Sequence, residues 1–145
     1  MVTNAETNEP SELLVLARQL YARRASAVVV PYEMLDPQHV EGQCHHNAGV
    51  WARYNPGWKV VHGWLVFDYE TTSFGLLRSV QFNPHSVIED SNGVRVDPTP
   101  SRASKRYPFL DHEGAVEDFV RIVQDGSLVC IDYNALDDDI SLRTA

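Results

Sequence analysis

The chain has 145 residues, 43% hydrophobic and 10% aromatic, which suits one domain with a real core and disfavours a disordered chain. Twelve basic against twenty acidic residues give a formal net charge of -8, which disfavours nucleic acid and anionic membranes as partners. Because the sequence shows neither a membrane-length apolar run nor a signal-peptide pattern, we expect a cytoplasmic protein.

The first half of the chain predicts two helices and one short strand. Residues 1–10 are expected to form a flexible tail, and Pro10-Ser11 to open an amphipathic helix that ends near Arg24. Ala27 to Pro31 predicts a short buried strand, followed by a loop over 32–43. A second helix begins at Cys44 and is stopped by Asn55-Pro56-Gly57.

The second half predicts mainly strands. They are expected at Trp58 to Tyr69 with an interruption at Gly63, Leu76 to Phe82, Val94 to Thr99 and Leu128 to Tyr133. His85 to Asp90 is either a further strand or the continuation of the Leu76 to Phe82 strand past Pro84. Residues 101–112 are predicted as a loop, Gly114 to Gln124 as a helix capped by Gly126, and 134–145 as a solvated acidic tail. We therefore predict one α+β domain over residues 11–133, with helices flanking an antiparallel sheet of about four or five strands.

The two cysteines lie in opposite surroundings. Cys130 belongs to an apolar run and is expected to be buried, whereas Cys44 lies in the polar segment Gly42-Gln43-Cys44-His45-His46-Asn47 at a helix start, which lowers a thiol pKa. His45 is expected to point to another face of that helix, and Asn47, one turn into it, to brace the preceding loop instead of touching a substrate. Because neighbouring helix residues splay apart and no second ligand cluster follows, we expect neither a metal site nor a cofactor.

The best partner for the Cys44 thiol is His85, with Asp97 as the group that orients the imidazole. The register of the intervening hairpin decides this. A three-residue loop at Ser91-Asn92-Gly93 would pair position 87 with 97 and place Asp97 on the His85 face. A two-residue turn at Asn92-Gly93 would turn Asp97 away.

The segment His85 to Pro100, with its Asp-Pro-Thr, resembles the transglutaminase-like superfamily, which carries a "His-Ala-Trp-Val-Glu" strand followed by "Asp-Pro-Thr". Gly42-Gln43-Cys44 is similar to the "Gly-x-Cys" start of that superfamily, and Val60 to Trp64 to its "Val-x-Gly-Tyr" strand. The resemblance covers roughly residues 42 to 100. It implies a papain-like core, with the nucleophile helix packed on an antiparallel sheet, and a Cys–His–Asp site.

An acyl-transfer site also needs a group that binds the oxyanion. The Cys44 backbone N–H is one candidate. Resemblance to papain-like proteases suggests the Gln38 side chain and resemblance to transglutaminases suggests the Trp64 indole, while Gln43 is the alternative beside the nucleophile. His62 shares a strand face with Trp64 and is a further candidate for lining the cleft.

Two classes of function follow. The first is a thiol-dependent enzyme that hydrolyses, deamidates or transamidates a peptide, protein or small amide through a thioester; a dedicated host-modifying effector with the same triad is a variant of it. The second is a non-catalytic binding domain, in which Cys44 and His85 would lie far apart or local side chains such as His45 or Tyr32 would fill the cleft.

Overall fold

A computed structural model describes residues 11–103, 105–125 and 127–145. Its helices are α1 Glu12–Arg23, α2 Cys44–Tyr54, α3 Tyr69–Thr72 and α4 Val116–Val120. Its strands are β1 Lys59–Asp68, β2 Ser79–Glu89, β3 Arg95–Val96, β4 Phe109–Asp111, β5 Leu128–Asn134 and β6 Asp139–Thr144. None of the described helices combines the length and apolar composition that crossing a lipid bilayer requires.

The strands form one antiparallel sheet in the order β4-β1-β2-β5-β6, with the short β3 paired to β2. An α+β architecture with an antiparallel sheet is therefore confirmed, with six strands among the described residues instead of four or five. β1 pairs with β2 along their full length, whereas β5 reaches β2 only up to Phe82 and β3 only from Ile88. The far edge of β2 is therefore open between these two partners.

The two long helices begin and end where the sequence predicts. The Ser11 hydroxyl caps α1 by accepting a hydrogen bond from the Leu14 N–H at 3.1 Å, and α2 runs from Cys44 to Tyr54 with Asn55 at its end. The apolar face of α1 is buried through Leu16, Ala17 and Leu20. These two local predictions are confirmed because cap residues and apolar spacing act over only a few residues.

Alternate residues of β1 and β2 face two different environments. The side that includes Trp64 and Phe82 packs under α1 and α4 in the main core, together with Leu20 and Phe119. The opposite side carries a small cluster around Val30, Val87 and Phe109. A third cluster of Ala48, Ile88 and Val96 packs α2 against the end of β2 and β3. The start of α2 is thereby brought to the open edge of β2.

One strand prediction needs correction, and one alternative is decided. Ala27 to Pro31 does not form a buried strand: Val28 is 67% exposed and makes only an isolated bridge to Phe109. Of the two possibilities at Pro84, the structure has the continuous strand, because β2 runs through Pro84 in register with β1. A proline lacks the N–H that a second neighbour would bind, and the open edge of β2 has no such neighbour at this point.

The remaining differences concern the ends of the chain. The predicted loop over 101–112 contains β4, and the helix predicted over 114–124 divides into α4 and a π-helical turn over Arg121–Asp125. The prediction of an acidic tail over 134–145 is wrong, because Asp139–Thr144 forms β6. Asp138, in the turn between β5 and β6, accepts hydrogen bonds from Arg18 Nε at 2.9 Å and from the Tyr133 hydroxyl at 2.8 Å. The predicted tail over 1–10 and the Gly126 cap lie outside the described residues.

Gly63 does not interrupt β1 but lets β4 approach it. A Cβ at this position would stand 2.1 Å from the Leu110 carbonyl oxygen and 2.5 Å from the Phe109 ring. We expect Gly63→Ala to lower the free energy of unfolding in urea by about 1–3 kcal/mol, the usual cost of overpacking. A Cβ added at Gly49 in α2 would have no atom within 4 Å, so Gly49→Ala is the control and should raise the free energy of unfolding by about 0.5–1 kcal/mol. An equal, small effect of both substitutions would contradict the close approach.

Candidate active site

The hairpin from β2 to β3 has the three-residue loop on which the site depends. Ile88 pairs with Val96 and Glu89 with Arg95, and the Asp90 N–H donates to the Val94 carbonyl at 2.9 Å. Gly93 takes a left-handed conformation with φ 81°, as the predicted loop requires. The predicted register is therefore confirmed. It brings His85 Nε2 to 2.7 Å from Asp97 Oδ2.

Asp97 is held from several sides. Its Oδ1 accepts from the Thr99 N–H at 3.0 Å, and an Arg106 guanidinium nitrogen lies 3.4 Å from its Oδ2. Its backbone joins the segment before the nucleophile, because its N–H donates to the Pro31 carbonyl at 2.8 Å. With its side chain only 5% exposed, Asp97 is a fixed, largely buried carboxylate against the His85 ring.

Cys44 is brought to His85 by a link between α2 and the Asp97 loop. The buried amide of Asn47, one turn into α2, donates to the Val40 carbonyl at 2.9 Å and to the Thr99 hydroxyl at 3.0 Å. This confirms that Asn47 braces the loop preceding the helix. Gly42 turns the chain into α2 with φ 82°. As the first helical residue, Cys44 has an N–H without an intrahelical partner.

Cys44 and His85 form a polarised pair. Burial raises the pKa of the Cys44 thiol, but hydrogen bonding and charge interactions with His45 and His85 outweigh it and bring the pKa to about 6. Burial lowers the pKa of His85, but its hydrogen bonds and charge interactions with Asp97 and Cys44 bring it to about 9. Between these pH values the thiolate and the imidazolium coexist, as a nucleophilic cysteine requires. Because His85 Nε2 is engaged by Asp97, its Nδ1 is the nitrogen left for the thiol.

His45 is a second histidine at the thiol, contrary to the expectation that it points away. Its ring interacts with Cys44, and its Nδ1 lies 2.6 Å from the hydroxyl of Ser86 on β2. The two side chains leave the first turn of α2 in different directions, and because that turn lies against β2, Cys44 meets His85 whereas His45 meets Ser86 on the other face of the strand. No sequence motif marked Ser86 as a hydrogen-bonding partner of His45.

The predicted oxyanion and cleft residues are only partly assembled around the thiol. Gln43 lines a shallow depression together with Cys44 and His45. Gln38 is exposed and lines neither this depression nor the cleft that contains His85. The prediction for Trp64 is wrong: it is fully buried on the opposite side of the sheet, where its indole N–H donates to His112 Nδ1 at 3.2 Å.

His62 also lies outside the cleft. It belongs to the Trp64 side of β1 and lines a separate cavity of about 210 Å³. Burial, and the charges of His45 and His112 when protonated, lower the pKa of His62 and keep it neutral at physiological pH. Its ring nitrogen Nδ1 is 2.8 Å from the Ser86 hydroxyl, so His62 is connected to the thiol only through other side chains.

Cys44, His85 and Asp97 open together into a cleft of about 490 Å³. Apolar side chains cover one part of it, among them Leu65, Phe67 and Tyr107, and charged side chains another, among them Glu41 and Lys105. Arg106 also lines it, and its contacts with Asp97 and the Thr99 carbonyl (3.1 Å) connect the cleft wall to the triad. The sequence carried no signal for Arg106, because it lies in a segment without a motif.

Metal binding is not suggested by the geometry of the site. Within the part of the chain that the structure describes, no three histidine, cysteine, aspartate or glutamate side chains are grouped so that they could hold a metal ion.

The pKa of Cys44 predicts its reactivity with iodoacetamide. Because only the thiolate is alkylated, the rate at Cys44 should be half-maximal near pH 6, fall below that pH and reach a plateau above it. Cys130 is fully buried and serves as the internal control, with alkylation expected only on unfolding. Peptide mass spectrometry separates the two. Half-maximal reaction of Cys44 at the pH of an ordinary thiol, about 8.5, would contradict the polarised pair.

Asp97→Asn tests the third member. The loss of the carboxylate charge should lower the pKa of His85, make an imidazolium beside the thiolate less favourable, and shift the alkylation profile of Cys44 upward by on the order of one pH unit. Asp139→Asn, in the exposed strand β6, is the control and should leave the profile unchanged. An unchanged profile in folded Asp97→Asn would show that Asp97 does not support the pair.

Comparison with known proteins yields no match of any kind: no protein-family model, no curated protein and no solved structure is similar to this chain.

Proposed function

We propose that the protein is a thiol-dependent acyl-transfer enzyme in which Cys44 is the nucleophile, His85 the general acid and base, and Asp97 the group that orients His85. The observation that carries this proposal is the position of the His85 ring, which hydrogen bonds the buried Asp97 carboxylate at 2.7 Å and interacts with the Cys44 thiol at the same cleft. The three residues come from α2, from β2 and from the position after β3, and the fold holds them together at one end of the cleft.

The first half of the reaction forms a thioester. The Cys44 thiolate attacks the carbonyl carbon of an amide, and the carbonyl π electrons move to the oxygen. When the tetrahedral intermediate collapses, the carbon–nitrogen bond breaks and the leaving amine takes the proton from His85 Nδ1. Asp97 accepts a hydrogen bond from the Nε2–H of His85 throughout and stabilises the imidazolium.

The second half releases the acyl group. Neutral His85 removes a proton from water, the oxygen attacks the thioester carbonyl, and the carbon–sulfur bond breaks to restore the thiolate and the imidazolium. A primary amine in place of water gives transamidation. The proposal therefore includes peptidase, amidase, deamidase and transglutaminase chemistry: the acceptor decides between hydrolysis and transamidation, and the acyl donor decides among the three hydrolytic activities.

The developing oxyanion would be bound at the start of α2. The Cys44 N–H has no intrahelical partner, and the first turn of a helix carries a partial positive charge. Gln43, which lines the depression beside Cys44, is the side chain best situated to add a second hydrogen bond. Gln38 is not supported in this role, because it lines neither space around the thiol.

A relationship to the transglutaminase-like superfamily, with its papain-like core, is part of the proposal. It is supported by a nucleophile at the N-terminus of a helix, by a histidine on a long strand and by an aspartate at the start of an Asp-Pro-Thr segment on the next strand. The alternative of a non-catalytic binding domain predicts a filled cleft or a separated pair. An open cleft of about 490 Å³ and the interaction of His85 with the thiol favour the enzyme.

Acylation by p-nitrophenyl acetate, a small activated ester that reacts with many nucleophilic enzymes, tests the proposal. The protein should release a burst of p-nitrophenol and carry an acetyl thioester on the Cys44 peptide by mass spectrometry. Cys44→Ala should lose the burst, and His85→Gln should slow it by about 100-fold or more, because the thiolate then lacks its partner.

Cys130→Ala is the matched control for the loss of a thiol and should acylate as the unmodified protein does. Circular dichroism confirms that each variant is folded. An adduct on other residues with none on Cys44, or a burst that survives Cys44→Ala, would overturn the assignment of the nucleophile.

A further inference from the structure

A row of hydrogen-bonding side chains leads away from the nucleophile on the side opposite Asp97. His45 Nδ1 lies 2.6 Å from the Ser86 hydroxyl, and His62 Nδ1 lies 2.8 Å from the same oxygen. Ser86 is adjacent to His85 on β2 and is fully buried. The triad does not use these three side chains, so their arrangement needs a separate explanation.

The Ser86 hydroxyl couples the protonation of the two rings. It has one proton to donate and can accept from both sides. Both rings approach the hydroxyl through Nδ1, so it can donate to one Nδ1 and accept from the other. If it accepted from both, its own proton would be left without an acceptor inside the core. Such an unsatisfied buried donor is costly, so the two rings adopt complementary tautomers.

The thiolate decides which of the two histidines donates a hydrogen bond to Ser86 and which accepts one. Sulfur in its anionic form is an acceptor only, so a histidine beside it contributes by donating an N–H. Cys44 and His45 line the same depression at the start of α2. With Nδ1 of His45 engaged by Ser86, the nitrogen left for Cys44 is Nε2. A proton on Nε2 and a lone pair on Nδ1 require Ser86 to donate to His45, and His62 then donates from Nδ1 to Ser86.

The surroundings of His62 and His45 agree with this order. The His62 ring stacks on Phe119 with a centroid distance of 4.7 Å and an angle of 18°, and the edge of the His45 ring meets the same phenyl at 5.8 Å. Burial and the nearby His45 and His112 lower the pKa of His62, which favours a neutral ring with a single N–H. His112 accepts from Trp64 at Nδ1 and is itself neutral in that tautomer.

We propose that His45 is a second catalytic histidine, which donates a hydrogen bond from Nε2 to the Cys44 thiolate, and that Ser86 and His62 are the positioning residues that hold its tautomer. The proposal rests on the proposed function in that Cys44 is the nucleophile. The two histidines then have different roles at the sulfur: His85 transfers the proton, whereas His45 stabilises the Cys44 thiolate by a hydrogen bond and transfers no proton.

The alkylation profile of Cys44 with iodoacetamide, followed by peptide mass spectrometry, separates these roles. Ser86→Ala removes the donor that keeps Nδ1 unprotonated, so the ring can adopt the other tautomer and lose its N–H toward the sulfur. We expect the half-maximal pH to rise by about one unit. His45→Phe preserves a ring against Phe119 without any N–H and should give a shift at least as large.

His46→Phe is the matched control, because it makes the same change at the neighbouring, exposed histidine, and it should leave the profile unchanged. The titratable groups around the His45 ring are Cys44, His85 and His62, with His112 beyond Phe119 subject to the charges of Asp118 and Arg23. Nitrogen-15 NMR of the His45 ring provides a second readout, with unprotonated Nδ1 and protonated Nε2 expected at neutral pH.

Each outcome is decisive. A low half-maximal pH in the unmodified protein that does not move in folded Ser86→Ala and His45→Phe would overturn the role of His45 and leave the proposed function standing. A half-maximal pH near that of an ordinary thiol in the unmodified protein would instead remove the proposed function itself. If Ser86→Ala does not fold, His45→Phe and the NMR tautomer decide alone, and a protonated Nδ1 with unprotonated Nε2 would overturn the proposal.

Discussion

The hydrogen bond between His85 and Asp97 is the constraint on which the site depends, and it exists because of the register of one hairpin. In a sheet, a shift of one residue moves every following side chain to the other face. The three-residue loop that ends at Gly93 therefore decides whether the Asp97 carboxylate lies on the same face as the His85 imidazole or on the opposite face. Since Asp97 also bonds the Pro31 carbonyl and the Thr99 N–H, the same register fixes the loop that Asn47 ties to α2. Nucleophile, base and orienting group are thus parts of one connected structure.

The open edge of β2 gives this structure access to a ligand. Between Phe82 and Ile88 the strand is paired on one side only, and His85 lies within that stretch. Pro84 fits there because a missing N–H has no cost at an unpaired edge. On one side of β2 the stretch carries His85 into the cleft, and on the other it carries Ser86 to His45 and His62. Cys44 and His45, at the start of α2, therefore lie beside side chains from both faces of β2.

The sequence predicted the parts of the fold that depend on nearby residues. Ser11, the Asn55 stop, the Gly93 loop and the brace by Asn47 are all determined within a few positions of the chain, and each was found. The strand at 109–111 was missed because its partner β1 is distant in sequence. The strand at 139–144 was missed although its partner β5 immediately precedes it, because its acidic start was interpreted as a solvated tail. Trp64 was misplaced because alternation tells which residues share a face but not which face holds the cleft. His45 was excluded because helix geometry separates neighbouring side chains, but that geometry could not show that the first turn of α2 lies against β2, where Ser86 holds the His45 ring.

The central claim is that Cys44 and His85 exist as a thiolate and an imidazolium, each stabilising the other. Histidine NMR that follows the ring nitrogens of His85 between pH 5 and about 10 tests it most directly, in the unmodified protein and in Cys44→Ala. The account predicts that His85 stays doubly protonated up to a pKa of about 9, and that the pKa falls in Cys44→Ala because the negative charge of the thiolate is lost while Asp97 remains. A His85 that titrates near 6.5 in the unmodified protein, or whose pKa is the same in both proteins, would contradict it.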